Sequence, residues 1–395
     1  MSSFAELGVS PPVCAALAAR DIHSPFEIQT LVMADALAGR DVLARSRTGS
    51  GKTLAFGVPI VERLTPSGPR PAALVLVPTR ELAVQVTEEI KGVAKARGLK
   101  IASVYGGVSI RDQARDAAKA HIVVATPGRL QDLMDRKLLG VKGVKILILD
   151  EADRMLDMGF QPQVDSIVRD VSKDRQTMFF SATLDGQVGH LARAYTRSPA
   201  LHEVESAKQT VEEAEHRFLP VTSGDKVETL VKVLRENRGT TLVFVRTKRG
   251  ADRLVQRLKS KGVRALAMHG DLTQAARQRA LKALSTGTAD VLVATDVAAR
   301  GLDVDQITHV INFDPPEDDK AYVHRVGRTA RAGRAGVGTT LVMPDQQSGM
   351  SRIAARLELQ NDFEKEGMTT AAPQIVYSSH RGKRSMMRPR PKRKF

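Results

Sequence analysis

The chain has 395 residues, a length that suits two or three domains at roughly 100–200 residues each. Its 60 lysines and arginines outnumber 44 aspartates and glutamates, and the net charge of +16 points to a polyanionic partner, nucleic acid before an anionic membrane surface. A hydrophobic share of 42% excludes a largely disordered chain, and a single cysteine, Cys14, excludes an internal disulfide framework or a thiolate zinc cluster.

The opening residues carry no basic region followed by an apolar core, and no apolar run nears the ~18 residues of a spanning helix. The expectation is a soluble, cytoplasmic protein with no membrane partner. Aromatic residues are few, 11 Phe, 4 Tyr and no Trp. That argues against an aromatic platform for RNA bases and favours contact with the nucleic-acid backbone.

In chain order, short apolar runs predict strands at Asp41–Ala44, Ala73–Val77, Ile101–Tyr105, His121–Ala125, Lys145–Leu149 and Thr177–Phe180. Each is nearly continuous rather than alternating, as in parallel strands covered on both faces by helices. The rhythm weakens across a polar, acidic stretch between Ser206 and Asp225. It resumes with strands at Thr241–Val245, Arg264–Met268, Asp290–Ala294, His309–Phe313 and Thr339–Val342, and a helix at Ser348–Leu359. The reading is α/β, with two tandem domains over 1–207 and 208–360, each a mostly parallel doubly wound sheet. Residues 361–395 form a basic tail: from His380 onward it holds eight lysines and arginines and no acid, so it is expected to be disordered and to bind RNA.

After the first strand come Ser46, Arg47, Thr48, Gly49, Ser50, Gly51, Lys52 and Thr53, then a helical pattern. This fits a phosphate loop apart from Ser46, which stands where the first glycine belongs. Glycines let backbone N–H groups converge on phosphates, and the helix N-terminus adds positive potential. Lys52 would reach the β- and γ-phosphates, and the Thr53 hydroxyl would ligate Mg²⁺. The fifth strand runs into Asp150, Glu151 and Asp153. Capping of the next helix accounts for one carboxylate, but not for three within four residues after a buried strand. Asp150 is suited to hold Mg²⁺ through water, and Glu151 to orient or deprotonate the attacking water.

Asp-Glu-Ala-Asp at 150–153 with the loop at 48–53 resembles the DEAD-box ATP-dependent RNA helicases of superfamily 2, in their bacterial RhlE-like branch. Further motifs follow in family order: Pro78–Ala83, Gly106-Gly107, Thr126–Arg129, Ser181-Ala182-Thr183, Val243–Thr247, His269–Asp271 with Gln274 and Arg277, Ala294–Asp303, and His324–Arg331. The resemblance implies two RecA-like domains that close around ATP and one RNA strand. Arg328 and Arg331 would then be arginine fingers. A planar cation there is worth about 10³–10⁵ in rate in related NTPases. His324, Gly301 and Asp303 would complete the nucleotide interface. Asp153, Ser181 and Thr183 would couple hydrolysis to domain arrangement. Gln29 would pair with the adenine edge and Phe4 would stack on the base. The surrounding motif departs from the family, with Asp21-Ile22 for Gly-aromatic and Phe26-Glu27 for Thr-Pro; Ala330 replaces a glycine between the fingers.

The same resemblance places Pro78, Thr79, Arg80, Gly107, Thr126 and Arg129 along the RNA on the first domain. Arg246, Gly270, Gln274, Arg277 and Thr295 are its counterparts on the second. Such residues suit phosphate and sugar contact, which carries little sequence information, and 2′-hydroxyl contacts would select RNA. The implied activity is RNA-stimulated ATP hydrolysis coupled to local separation of short duplexes; an ATP-gated RNA clamp with little unwinding is the alternative. The implied partners are single-stranded and structured RNA together with ribonucleoprotein or RNA-degradation complexes, in work such as ribosome biogenesis, for a monomeric protein.

Overall fold

The computed structural model describes residues 3–46, 50–204, 214–236, 239–299, 307–329 and 336–369. The first sheet contains β1 (Val42–Arg45), β2 (Ala73–Leu76), β3 (Ile101–Val104), β4 (Ile122–Ala125), β5 (Ile146–Leu149), β6 (Gln176–Ser181) and β7 (Ala200–Glu203), in the order β3-β4-β2-β5-β6-β1-β7. The second contains β8 (Ala214–Pro220), β9 (Thr240–Phe244), β10 (Ala265–Met268), β11 (Val291–Ala294), β12 (Ile307–Asn312) and β13 (Gly336–Val342), in the order β10-β11-β9-β12-β13-β8. Every pairing within both sheets is parallel.

The central strands β2, β5 and β11 are apolar throughout because each face of a sheet has its own core. Ala73 and Val75 of β2, with Ile146 and Ile148 of β5, enter the core on one face. Leu74, Leu76, Leu147 and Leu149 enter the core on the other. The second domain repeats this division, with Val243, Val291 and Val293 on one side and Leu242, Phe244 and Leu292 on the other. Helices cover both faces, which is the physical content of a doubly wound sheet.

Three sequence expectations need correction. β7 and β8 are edge strands that the apolar-run criterion missed, because an edge strand keeps one flank toward solvent. In β8, Ala214, His216 and Phe218 are buried while Glu215 is exposed, so its signal was alternation inside a polar stretch. The helix expected over Ser348–Leu359 is observed as Gln347–Arg356, followed by a short helix at Gln360–Glu364. Folded structure therefore continues past residue 360: Phe363 is fully buried and meets Phe218 edge-on at 5.3 Å, and Met368 joins the same cluster. The 207/208 boundary and residues 370–395 lie outside the described residues.

Phe363→Ala is expected to destabilise the second domain by about 3–5 kcal/mol, the usual range for removing a buried phenyl ring. Denaturant unfolding of the full chain checks this, and an unchanged midpoint would mean residues 360–368 add nothing to the core.

Candidate functional site

A parallel sheet sends every strand out at one edge, and here that edge sorts the candidate residues into two groups. β5, β6 and β1 are neighbours, so Asp150, Ser181 and Ser46 emerge side by side. β3, β4 and β2 are neighbours on the other half of the sheet, so Gly107, Thr126 and Pro78–Arg80 emerge side by side there. Open α/β sheets bind ligands outside the carboxyl ends of their strands, which is this edge.

In the first group, the Ser46 N–H donates to the Ser181 carbonyl at 3.0 Å, tying the loop's start to β6. Gly51 holds φ +85° as the helix Lys52–Arg63 begins, a left-handed conformation that glycine adopts without strain. Lys52 is buried; its Nζ donates to the Ser46 carbonyl at 3.2 Å and lies 3.9 Å from Asp150 Oδ1. Arg47, Thr48 and Gly49 lie outside the described residues. Asp150 is buried at the end of β5, and its Oδ1 accepts the Glu151 N–H at 2.9 Å. Burial pushes the Asp150 carboxyl up to about 6; Lys52 opposes that rise and the Glu151 carboxylate adds to it.

Glu151 sits at φ +52°, an uncommon conformation for a residue with a side chain, and begins the helix Ala152–Asp157. Its Oε2 accepts from Arg154 Nη1 at 2.6 Å, with both side chains about 95% buried (5% and 4% exposed). Arg154 went unnoticed in the sequence, where an arginine after the carboxylates reads as a helix surface charge. One glutamate oxygen is thus held by a buried cation, which fixes the carboxylate's orientation. Asp153 Oδ1 accepts the Arg154 N–H at 3.0 Å, and Ser181 Oγ accepts the Thr183 N–H at 3.3 Å. The oxygen donors of Thr53 and Asp150 suit a hard cation. Among the described residues no cluster of three or more His, Cys, Asp or Glu forms an all-protein cage.

The residues assigned to the base require correction. Phe4 is 3% exposed within the apolar core of the first domain, so its ring has no face to offer a ligand. Gln29 is 1% exposed: its Oε1 accepts the Phe26 N–H at 2.9 Å and its Nε2 donates to the Gly51 carbonyl at 2.8 Å. The amide is a brace between the helix Glu27–Leu37 and the phosphate loop, as covered by protein as Phe4 is.

In the second group, Thr79 caps the helix Arg80–Ala96, its Oγ1 accepting the Leu82 N–H at 3.2 Å. Thr126 precedes the helix Pro127–Asp135. Arg80 lies over Gly107: a Cβ there would come within 2.4 Å of Arg80 Nη1. Arg129 Nη1 donates to Gln113 Oε1 at 2.9 Å and to the Val108 carbonyl at 3.1 Å. On the second sheet, β10, β11 and β9 are neighbours and deliver Gly270, Thr295 and Arg246 to one edge. Arg246 and Gly270 are exposed and Thr295 is buried.

Gln274 and Arg277 are placed elsewhere. Gln274 Nε2 donates to Glu81 Oε1 at 3.2 Å and Arg277 Nη2 pairs with Glu81 Oε2 at 2.8 Å, all three side chains buried. They join the helix Gln274–Ser285 of the second domain to the first turn of Arg80–Ala96 in the first. Their expected direct RNA contact is corrected to a brace between domains. Glu81 was not singled out because an acid in a first helical turn is ordinary.

Of the residues expected at the nucleotide from the second domain, Arg328 is buried, its Nε donating to the His324 carbonyl at 3.3 Å. Both line a small cavity with Phe244, Asp296 and Arg325. Arg325, which the sequence reading passed over, is the anchor of this segment. It grips Asp296 through two bonds of 2.6 and 2.7 Å and donates to Asn312 and to the Asp314 carbonyl. Gly301, Asp303, Ala330 and Arg331 lie outside the described residues.

This geometry coincides with two family models, the DEAD/DEAH box helicase over residues 26–191 and the helicase conserved C-terminal domain over 225–333. The DEAD-box ATP-dependent RNA helicase CshA of Bacillus subtilis is 40% identical over 345 residues, covering 87% of this chain and 69% of that protein. The chain belongs to the DEAD-box helicase family. CshA of Geobacillus kaustophilus, also 40% identical, spans 89% of this chain and 76% of its own length. These relatives carry the CshA name, so the placement reaches the DEAD-box family and not the RhlE-like branch. Among solved structures, S. cerevisiae Dbp5 bound to RNA and ADP BeF3 matches with a TM-score of 0.82 at 32% identity, covering 93% of this chain and 95% of that one. The overlay takes in both domains of this DEAD-box chain at once.

Removing Glu81 leaves Arg277 as a buried, uncompensated cation, a loss of about 3–5 kcal/mol if the domains stay together. Opening of the domains relieves it. Glu81→Ala is therefore expected to weaken nucleotide-dependent RNA binding by about 100–5,000-fold while the unfolding midpoints of both domains hold. Equal RNA affinity in the two proteins would remove the brace from the closed state.

Proposed function

We propose that this DEAD-box protein is an ATP-dependent RNA helicase that grips single-stranded RNA across its two sheet edges and separates short duplexes locally. The observation that carries this is the buried Glu81–Gln274–Arg277 brace, which joins the domains in an arrangement that overlays on Dbp5 with RNA and ADP BeF3. ATP would enter against Lys52 and the N-terminus of Lys52–Arg63, where cation and helix dipole both favour phosphate. Mg²⁺, when bound to Thr53 and Asp150 through water, would neutralise phosphate charge. Glu151, its carboxylate oriented by Arg154, would position the attacking water. Arg328 and Arg331 would stabilise charge on the transferring group, and Asp153, Ser181 and Thr183 would relay the change between domains.

The RNA would lie along Pro78, Thr79, Arg80, Gly107, Thr126 and Arg129 of the first domain and Arg246, Gly270 and Thr295 of the second. Helix N-termini, hydroxyls and guanidinium groups contact phosphate and sugar, so binding is tolerant of sequence. Residues 370–395 would act as an electrostatic tether to structured RNA. The physiological setting would be a cytoplasmic ribonucleoprotein or RNA-degradation complex; among the described residues, no helix is long and apolar enough to cross a membrane.

ATP hydrolysis measured with and without single-stranded RNA tests the reading. Wild type is expected to be strongly RNA-stimulated, and Glu151→Gln to lose at least 100-fold in turnover while keeping nucleotide-dependent RNA binding. ATP-dependent RNA binding with no hydrolysis in the wild type would favour a clamp instead. Deleting residues 380–395 is expected to weaken RNA binding and to flatten the plot of log affinity against log salt by about 0.7 for each phosphate no longer neutralised. An unchanged slope would reject the tether.

A further inference from the structure

Phe26 is 58% exposed, and it is the only exposed Phe or Tyr among the described residues of a chain that has no Trp. Single exposed apolar residues are ordinary on a protein surface. This one is distinguished by what it touches. Its ring lies on the phosphate loop: a Cβ built on Gly51 would stand 2.6 Å from Phe26 Cδ2 and 2.7 Å from Gln29 Nε2. Its backbone N–H donates to Gln29 Oε1, and Gln29 Nε2 in turn donates to the Gly51 carbonyl. Phe26, Gln29 and Gly51 thus form one connected unit in which Gln29 is buried, Gly51 is half-buried and Phe26 presents its ring to solvent.

The location selects the ligand. Phe26 abuts the loop that follows β1, on the half of the edge that carries Lys52 and Asp150, away from the β3-β4-β2 half that carries Gly107 and Thr126. A molecule whose phosphates rest on this loop carries a flat heteroaromatic base within a few ångströms of them. We propose that Phe26 is the base-stacking residue of the nucleotide site. The inference rests on the nucleotide-binding reading above and adds a specificity-determining residue to it. Stacking on a phenyl ring is tolerant of base identity. Phe26 therefore sets affinity for purine nucleotides in general.

The two backbone bonds of this unit survive any change of the Phe26 side chain, so substitution isolates the ring. Binding of AMP-PNP, GMP-PNP and inorganic tripolyphosphate to the full chain is the test, with Phe26→Thr, Phe26→Tyr and, as a control on loss of an exposed apolar side chain, Leu201→Thr. Phe26→Thr is expected to weaken AMP-PNP and GMP-PNP by the same factor, about 5- to 100-fold for removal of one stacking ring. Tripolyphosphate, which has no base, should bind as before; Phe26→Tyr and Leu201→Thr should match wild type. Unchanged AMP-PNP affinity in Phe26→Thr would overturn the inference. So would equal weakening of tripolyphosphate, since the ring would then only support the loop. Wild-type protein that binds none of the three would instead overturn the nucleotide site itself, and the inference with it.

Discussion

Parallel pairing within each sheet is the constraint from which the functional geometry follows. Because β5, β6 and β1 run the same way in unbroken register, the phosphate loop and the acidic motif end up two strand spacings apart, about 10 Å. A lysine side chain bridges that gap, and Lys52 does so, reaching within 3.9 Å of Asp150. The same rule in the other half-sheet, and again in the second domain, lines up the hydroxyls, glycines and arginines proposed to meet RNA. A single antiparallel central strand would send one of these loops to the opposite edge.

The site is built from buried charge, which is stable only when matched. Glu151 with Arg154 and Glu81 with Arg277 are such matches, and buried Arg325 is matched by the half-buried Asp296. Asp150 is the least well matched: burial outweighs the nearby Lys52 and raises its proton affinity. A carboxylate in that condition would gain most from a nearby cation. The Glu81 pair differs in kind because its partners belong to different domains. Its burial depends on the domains meeting, which makes it a natural element through which closure is felt.

The nucleotide half of the site was legible in the chain because local rules dictate it. A loop of small residues ending in Gly51 and Lys52, then a helix, is dictated by φ and dipole requirements that act within a few residues. The buried strand before Asp150 is announced by its own apolar run. The residues misjudged were those whose surroundings come from far along the chain. Phe4 is covered by a core assembled from residues as distant as Phe180. Gln274 and Arg277 meet a carboxylate nearly two hundred positions away. β8 falls in the polar stretch where the strand rhythm weakens, and the partner that makes it a strand, β13, lies over a hundred residues downstream.

The sequence by itself determined the family, the two α/β domains, the phosphate-loop pattern and the acidic motif at 150–153, because ordered short motifs and apolar runs are properties of neighbouring residues. Tertiary structure alone decided which polar side chains face a ligand and which are spent on the protein. Gln29, Arg154, Arg277 and Arg325 are all polar residues at or near motifs, and nothing in their local sequence distinguishes a reader of ligand from a brace. That choice is set by which groups lie within 3 Å after folding, since a buried donor or acceptor must take the partner that the packed chain brings to it.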